Sequence, residues 1–416
     1  MKQVPAPRGR ALSTPTRFDV GGTWLPRPFK IRRLGHFGFN VVNTDAAYPF
    51  YTRALGFRVS DVRDDGPRIA PEQRSGLGDT RGFFMRYGTD HHAFVLYNKR
   101  ARDLLDATRR NREGITINQI TWQVGSLGEV VNGHHWFVEQ GCRIRRVGRD
   151  MPGSNWHTYL LDPDGHVNEL YYGMEQIGWS GHSKPRAMYD REFREVAPLP
   201  QISEFEEVQQ ALARSVDLLS GHRHTDEPPA TYEVDGVLLP QPFKIVRLGP
   251  VSLFVENLEA ALTFYRDLLG FTVTEEISWE GERCVFLRAN AEHHSLALYP
   301  ISLRARLGFS AHTTSMALGL QVANYRQLRA AAEFLPARGA RTVLLPPEIH
   351  PGIEYALHVL DPDGHTLQLY HQMEQIGWDG LPRPARERRR PQRPWPETLE
   401  ATSDTYLGEP FLGPWR

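Results

Sequence analysis

The chain has 416 residues, 40% hydrophobic and 24% charged, enough for two ordinary domains with cores of their own. Lysine plus arginine and aspartate plus glutamate both total 49, so there is no global basic field for nucleic acid or an anionic membrane. The only two cysteines, Cys142 and Cys284, lie in different halves, which argues against a disulfide framework and fits a reducing compartment.

The first stretch, MKQVPAPRGRALSTPTRF, lacks the apolar core of a signal peptide. No run of about 18 apolar residues is present, so no membrane span is expected, and the expected location is cytoplasmic. A short apolar strand, His36–Val42, leads into a helix carrying Tyr48, Tyr51 and Leu55, with Gly56 of "LGF" as its C-cap. Further strands close with Ala93–Tyr97. The cycle then restarts with a strand at Ile117–Val124 and a helix around Val130–Gln140 ended by Gly141. Two or three strands follow, ending in "HTYLLDPDGHVNELYY" at Tyr172. This is two βαβββ modules in succession. Glu204–Leu219 reads as an amphipathic helix, followed by the polar linker "SGHRHTDEPPA".

The pattern is then written again. "FDVGGTWLPRPFKIRRLGHFGFNV" from Phe18 returns as "YEVDGVLLPQPFKIVRLGPVSLFV" from Tyr232, and "FYTRALGFRV" as "FYRDLLGFTV". "DHHAFVLYN" returns as "EHHSLALYP", and the closing stretch as "ALHVLDPDGHTLQLYH". "MEQIGW" occurs verbatim at Met174–Trp179 and Met373–Trp378, where it is expected to pack between domains or subunits. So many ordered matches mean duplication of a whole domain. The expected fold class is α+β: two tandem domains, each a pair of βαβββ modules forming a cupped, open barrel. The expected divisions are an N-terminal segment 1–27, a first domain 28–181, a helical linker 182–240, a second domain 241–380 and an Arg/Pro-rich arm 381–416. The arm is either disordered or laid over the other domain or a second subunit.

Side chains alternate faces along a strand. Aligning "LGHFGFNV" with "INQITWQV" by pattern sets His36 opposite Gln119, and Glu169 shares a face of the last strand with Tyr171. If the modules pair into one cupped barrel, His36, Gln119 and Glu169 converge on its inner surface. An imidazole, an amide oxygen and a carboxylate there suit a divalent metal with open positions. The bland reading of His36 is a satisfied core histidine, and a buried Glu169 needs either a metal or an arginine beside it.

The double βαβββ layout, the "LGH" opening, "FYxxxLGF", "DHHAF" and "YLLDPDGHVNELYY" resemble the vicinal oxygen chelate superfamily, over roughly Pro28–Tyr172 and Pro242–Tyr370. The long two-domain form is most similar to the type I extradiol ring-cleaving dioxygenases. That resemblance implies a metal triad of two histidines and a glutamate. His36 and Glu169 match it, and Gln119 stands where the second histidine belongs. It implies Fe(II), or else Mn(II), and a catecholic aromatic substrate opened with O2. Tyr159 falls on the family's active-site tyrosine, and His91 or His92 on its acid-base histidine, with alternation favouring His91. Asp150 falls where the substrate-binding histidine belongs and does not match. Trp156 and Tyr171 are candidate substrate contacts, although both also read as core packing, as does Tyr159. His91–His92 recurs as His293–His294, which favours a structural role for at least one of the pair. In the second unit Pro250, Ala317, Gln368 and His358 replace His36, Gln119, Glu169 and Tyr159, so the metal site is expected in the first unit alone. Two other readings stay open: a glyoxalase- or epimerase-like lyase or isomerase, which the amide of Gln119 suits, and a ligand-sequestering protein without catalysis. A homo-oligomer is expected from the arm and the paired domains.

Overall fold

A computed structural model describes residues 17–105, 114–149, 153, 155–188, 194–399 and 413. A small hairpin, β1 (Phe18–Val20) and β2 (Thr23–Leu25), precedes the first domain. The first module supplies β3 (Ile31–Val41), β4 (Arg58–Asp64), β5 (Arg81–Arg86) and β6 (Phe94–Asn98). The second supplies β7 (Ile117–Val124), β8 (Ile144–Arg149), β9 (Trp156–Leu161) and β10 (Val167–Tyr172). They form one eight-stranded open sheet in the order β4-β5-β6-β3-β7-β10-β9-β8. Each module's first strand pairs in parallel with its last, and the modules join through the antiparallel pair β3–β7. The sheet curls enough for residues of β4 and β9, far apart in that order, to line one cavity.

The second half repeats this plan. A hairpin, β11 (Tyr232–Val234) and β12 (Val237–Leu239), precedes β13 (Ile245–Val255), β14 (Thr272–Trp279), β15 (Glu282–Arg288) and β16 (Leu296–Pro300). Then come β17 (Ser315–Val322), β18 (Arg341–Val343), β19 (Ala356–Leu360) and β20 (Thr366–Tyr370). Their order is β14-β15-β16-β13-β17-β20-β19-β18. The α+β class and the four βαβββ modules are as the sequence predicts.

The helix after β3 begins at Thr44, with the Asn43 side chain accepting from the Ala46 amide. Its second half, Phe50–Ala54, widens to a π turn, where the Leu55 amide donates to the Phe50 carbonyl. The duplicate, Thr263–Leu268, widens in the same way without a proline, so Pro49 is not the cause. Gly56 at φ 77° then ends the helix as a left-handed cap. The linker helix is shorter than predicted. It runs from Glu204 to Ala213 behind a Ser203–Glu206 capping box, and the chain turns away through Ser215 at φ 59°.

The two domains share one continuous apolar core. It runs from Phe37, Phe39 and Trp122 to Phe271, Leu298 and Leu318, with the Trp122 and Phe271 rings 4.8 Å apart. A polar latch crosses the same boundary twice. Tyr51 on the first π turn donates to Asp361 Oδ2 at 2.9 Å, and Tyr265 on the second donates to Asp162 Oδ2 at 2.8 Å. Each aspartate also holds the histidine of its own DPDGH turn, at 2.7 Å for His166 and 3.0 Å for His365. Each histidine reaches a threonine of the other half, Thr314 or Thr116, at 2.8 Å. The DPDGH turns therefore bend the chain and also bind the domains together.

"MEQIGW" makes its described backbone contacts within its own domain, not between the two domains. The carbonyls of Glu175 and Glu374 accept from the amides of His91 and His293 in their own domains, whereas Trp179 and Trp378 are fully exposed. The arm is laid over the second domain of its own chain, as far as residue 399. Tyr325 donates to the Pro396 carbonyl and Arg329 to that of Glu397, and Arg388 enters the second cup between Glu275 and Glu374. Burial alone would raise the Glu275 carboxyl, but His293 and Arg388 outweigh it and hold it at about 2. The aromatics of the arm beyond Trp395 lie outside the described residues. No described helix is long and apolar enough to cross a membrane.

The latch makes a stability prediction. Tyr51→Phe leaves a buried aspartate short of one donor and should cost about 1.5–3 kcal/mol, the usual scale for a hydrogen bond to a charged group. The double change with Tyr265→Phe should cost more than either alone. Urea unfolding of the full chain checks both, and wild-type midpoints would show that the latch adds no stability.

Candidate metal centre

β3, β7, β9 and β10 bring the candidate ligands together. His36 Nε2 lies 3.1 Å from Glu169 Oε2, and the Gln119 side-chain amide lies 3.3 Å from the same oxygen. In the strand register His36 pairs with Thr121 and Gln119 with Gly38, because β3 and β7 run antiparallel with a bulge between Leu34 and His36. The pattern alignment thus gives equivalent positions in two modules, and curvature brings the side chains together. Gly38 is required there: a Cβ would overlap the Val95 side chain.

Glu169 is fully buried and is the hub of the site. Thr121 Oγ1 donates to its Oε2 at 3.0 Å, and Asn155 Nδ2 donates to its Oε1 at 2.6 Å. Tyr159, its cross-strand neighbour, hydrogen-bonds it as well. His157 Nδ1 stands 3.7 Å from Oε1, so an imidazole faces each carboxylate oxygen. Burial pushes the Glu169 carboxyl up, but His36, His157 and Tyr159 outweigh it and hold it at about 2. Burial holds His157 down at about 3 and His92 well below the ordinary range, so both imidazoles are neutral near pH 7. The Tyr159 hydroxyl is held well above its usual range by burial and by Glu169, and stays protonated.

The site opens into a cavity of about 1120 Å³ lined by His36, His92, Gln119, Asn155, His157 and Tyr159, among others. The other predicted residues sit elsewhere. His91 does not line the cavity: its Nδ1 meets His92 Nδ1 at 3.0 Å and its Nε2 is 3.6 Å from Asp61. Alternation misleads there because His91 and His92 precede the regular part of β6. His92 is the one that faces in, its ring 4.5 Å from that of His36. Trp156 is buried beside Arg149, one residue out of phase with His157 and Tyr159, and Tyr171 packs behind His36 with ring centroids 5.0 Å apart. Neither lines the cavity. Asp150 lies outside the described residues.

Sequence reasoning missed Asn155, His157 and Thr121. A signal existed: the second copy carries Glu354, Ala356 and Gly319 at the matching positions, so these residues vanish together with Glu169. The donor set suits a divalent cation. Two imidazoles, a carboxylate and an amide share one pocket, and His36 Nδ1 is buried without a hydrogen-bond partner in the structure. A second acidic cluster, Asp162, Asp164 and His166, has candidate metal spacing. Asp162 and His166 are already used in the latch, and Asp164 accepts from the Glu256 amide.

Comparison with known proteins places the fold. Residues 33–170 and 247–369 match the model of the Glyoxalase/Bleomycin resistance protein/Dioxygenase superfamily, and the chain belongs to that superfamily. It is 30% identical over 134 residues to a manganese-dependent 2,3-dihydroxybiphenyl 1,2-dioxygenase of Geobacillus genomosp. 3, covering 32% of this chain and 38% of that one. It is 30% identical over 147 residues to metapyrocatechase 2 of Cupriavidus necator, covering 35% and 38%. Each match thus spans about two-fifths of the relative's length. Among solved structures, the Mn(II)-bound glyoxalase from Novosphingobium aromaticivorans superposes with a TM-score of 0.52 at 15% identity, over 86% of this chain and 89% of that one. A 2,3-dioxygenase from Pseudomonas sp. KL28 gives 0.53 at 13%, over 85% and 96%. These two likenesses establish the fold.

The packing behind His36 can be tested. A Cβ on Gly35 would overlap the Tyr171 hydroxyl, and Tyr171 supports the His36 ring. Gly35→Ala should therefore lower stability by about 1–3 kcal/mol, the cost of overpacking a core. A melting temperature equal to wild type would show that this contact yields freely.

Proposed function

We propose that the first domain holds a divalent metal on His36 and Glu169, with Gln119 and His157 as the remaining protein donors. We propose that the chain is an extradiol-type dioxygenase that opens the ring of a catecholic aromatic compound. The observation that carries this reading is Glu169 set between two imidazoles at the base of a large cavity. Two relatives, named as a manganese-dependent 2,3-dihydroxybiphenyl 1,2-dioxygenase and metapyrocatechase 2, support the class. Fe(II) is the first choice of metal and Mn(II) the second, since imidazole and carboxylate suit both.

When bound, such a metal supplies neighbouring open positions at which the diol and O2 are held together. The chain does the rest. Protonated Tyr159 offers a hydrogen bond, and later a proton, from the wall beside Glu169. Neutral His92, its ring 4.5 Å from that of His36, accepts a proton. Phe84, Val95 and Tyr97 give the cavity an apolar wall that limits water and suits an aromatic ring. The glyoxalase-like reading, favoured by the amide of Gln119, uses the same residues but consumes no O2.

Two experiments decide. Anaerobic Fe(II) or Mn(II) loading followed by metal analysis should give about one metal per chain in wild type, and at least tenfold weaker binding in Glu169→Gln and His157→Ala. Equal metal content in wild type and Glu169→Gln defeats the reading. Oxygen uptake with a panel of catechols should follow metal content, and Tyr159→Phe should keep its metal while losing about 10²-fold in rate. Metal binding without oxygen uptake on any catechol would favour the glyoxalase-like alternative.

A further inference from the structure

The second copy shows what a buried slot beside its cup is built to hold. Arg388 of the arm donates from Nε to Glu374 Oε2 at 3.2 Å and from Nη1 to Glu275 Oε1 at 3.0 Å. Its Nη2 lies 2.7 Å from Glu275 Oε2 and 3.4 Å from His293 Nε2. Two carboxylates and an imidazole thus surround one guanidinium, whose planar fork of donors fits them. The first copy keeps the same walls. Asp61 pairs with Phe84 just after a bulge in β4, as Glu275 pairs with Phe286 just after one in β14. His91 and Glu175 match His293 and Glu374 in the repeated sequence. In both glutamates one oxygen accepts from the amide nine residues on, that of Lys184 or Arg383, so the other oxygen is turned the same way.

What the first copy lacks is the guanidinium. Aligned on "MEQIGW", Arg388 corresponds to Tyr189. Glu175 Oε2 and His91 Nε2, which match two of the atoms around Arg388, are buried with no hydrogen-bond partner in the structure. Glu175 is 4% exposed and His91 0%. Asp61 is shorter than Glu275 and stays 3.6 Å from His91 Nε2, whereas Glu275 meets His293 Nε2 at 2.9 Å. The oxygens of Asp61 accept from the Val62 amide and Ser183 Oγ, and Lys184 turns its Nζ to Glu204 and Glu207. Burial pushes the Glu175 carboxyl up, and Asp61 adds to that push against His91 and Lys184. Leaving buried acceptors of this kind unmade is costly, and a cation set among them offsets the cost.

We infer that Asp61, His91 and Glu175 form a guanidinium-binding slot, the counterpart of the one that Arg388 fills in the second domain, and that it takes a guanidinium group carried on a separate ligand. Asp61 lines the first cavity, so the group enters from there and the rest of its ligand lies in that cavity. Glu175 takes one of its nitrogens and Asp61 the other two, as Glu374 and Glu275 do with Arg388. An ammonium is a compact point charge and cannot span both walls. Two sources share this chemistry: a small free guanidine and an arginine side chain of another protein. The slot contains none of the proposed metal ligands and stands independently of the metal reading.

The full chain is titrated calorimetrically in EDTA with ethylguanidinium and, at the same ionic strength, with ethylammonium. Ethylguanidinium should bind once per chain with a Kd of about 1 mM, at least tenfold more tightly than the ammonium. Glu175→Gln and, as an independent variant, Asp61→Asn should each weaken it at least tenfold. Arg388→Ala empties the matching slot of the second domain and should raise the stoichiometry from one to two. Agmatine and N-acetylarginine methylamide, titrated alike, decide between a small guanidine and a protein arginine as the source, the tighter of the two naming it. No saturable binding to wild type would mean that water alone fills the slot, and would overturn the inference. Equal binding of the ammonium, unchanged binding in both carboxylate variants, or a stoichiometry still at one in Arg388→Ala would each overturn it as well. None of these results depends on metal or turnover, so a failure of the oxygenase reading would be seen separately, in oxygen uptake.

Discussion

A carboxylate without water around it is the constraint on which the first domain depends. Glu169 is fully buried, and an ionised carboxylate is tolerated there only if donors converge on it. They come from three strands: His36 from β3, Gln119 and Thr121 from β7, His157 and Tyr159 from β9, with Asn155 just before β9. No single strand or module could supply them. The pairing of β3 with β7 and of β10 with both β7 and β9 is therefore what makes the site, and the curl of the sheet gives it an open mouth. A cation placed among these groups would replace hydrogen bonds that already point at one spot.

The second constraint is the boundary between the copies. Tyr51 and Tyr265 donate across it to buried aspartates, and His166 and His365 reach threonines on the far side. Each copy thus completes the polar groups of the other. This is why the two DPDGH turns are retained in full while the residue four positions past the turn's glycine is a carboxylate, Glu169, in one copy and an amide, Gln368, in the other. The turns serve the interface and Glu169 serves the cavity, so loss of the carboxylate at Gln368 leaves the interface intact. Gln368 instead meets His358 at 3.0 Å, a neutral pair that needs no cation.

Much of this was legible in the chain. Duplication was plain from ordered matches, the bounds of β7 followed from its apolar run, and His36 and Glu169 stood out because they sit on core strands where the second copy has Pro250 and Gln368. What was not legible depends on register and on irregular backbone. His157 and Asn155 count only once β9 is paired to β10, and the choice of His92 over His91 is made in a bend where alternation has no force. The arm was undecided from composition because its anchors, Tyr325, Tyr355 and Glu275, lie far from it in sequence. Comparing the copies position by position, beyond the expected ligands, would have recovered part of this, since the donors disappear as a set.

The second domain has a structural part that does not depend on ligands in its own cup. Its core is continuous with that of the first, so removing it would expose the buried faces of Phe39 and Trp122 to water. Asp162 would lose Tyr265, and Tyr51 would lose Asp361, leaving buried polar groups short of partners. Its own cup takes Arg388 from the arm, set against Glu275 and Glu374, so a charge supplied by the chain occupies that mouth. One copy thus keeps the buried glutamate and its cavity, and the other, with the arm laid against its cup, completes the core and the polar latch of the first.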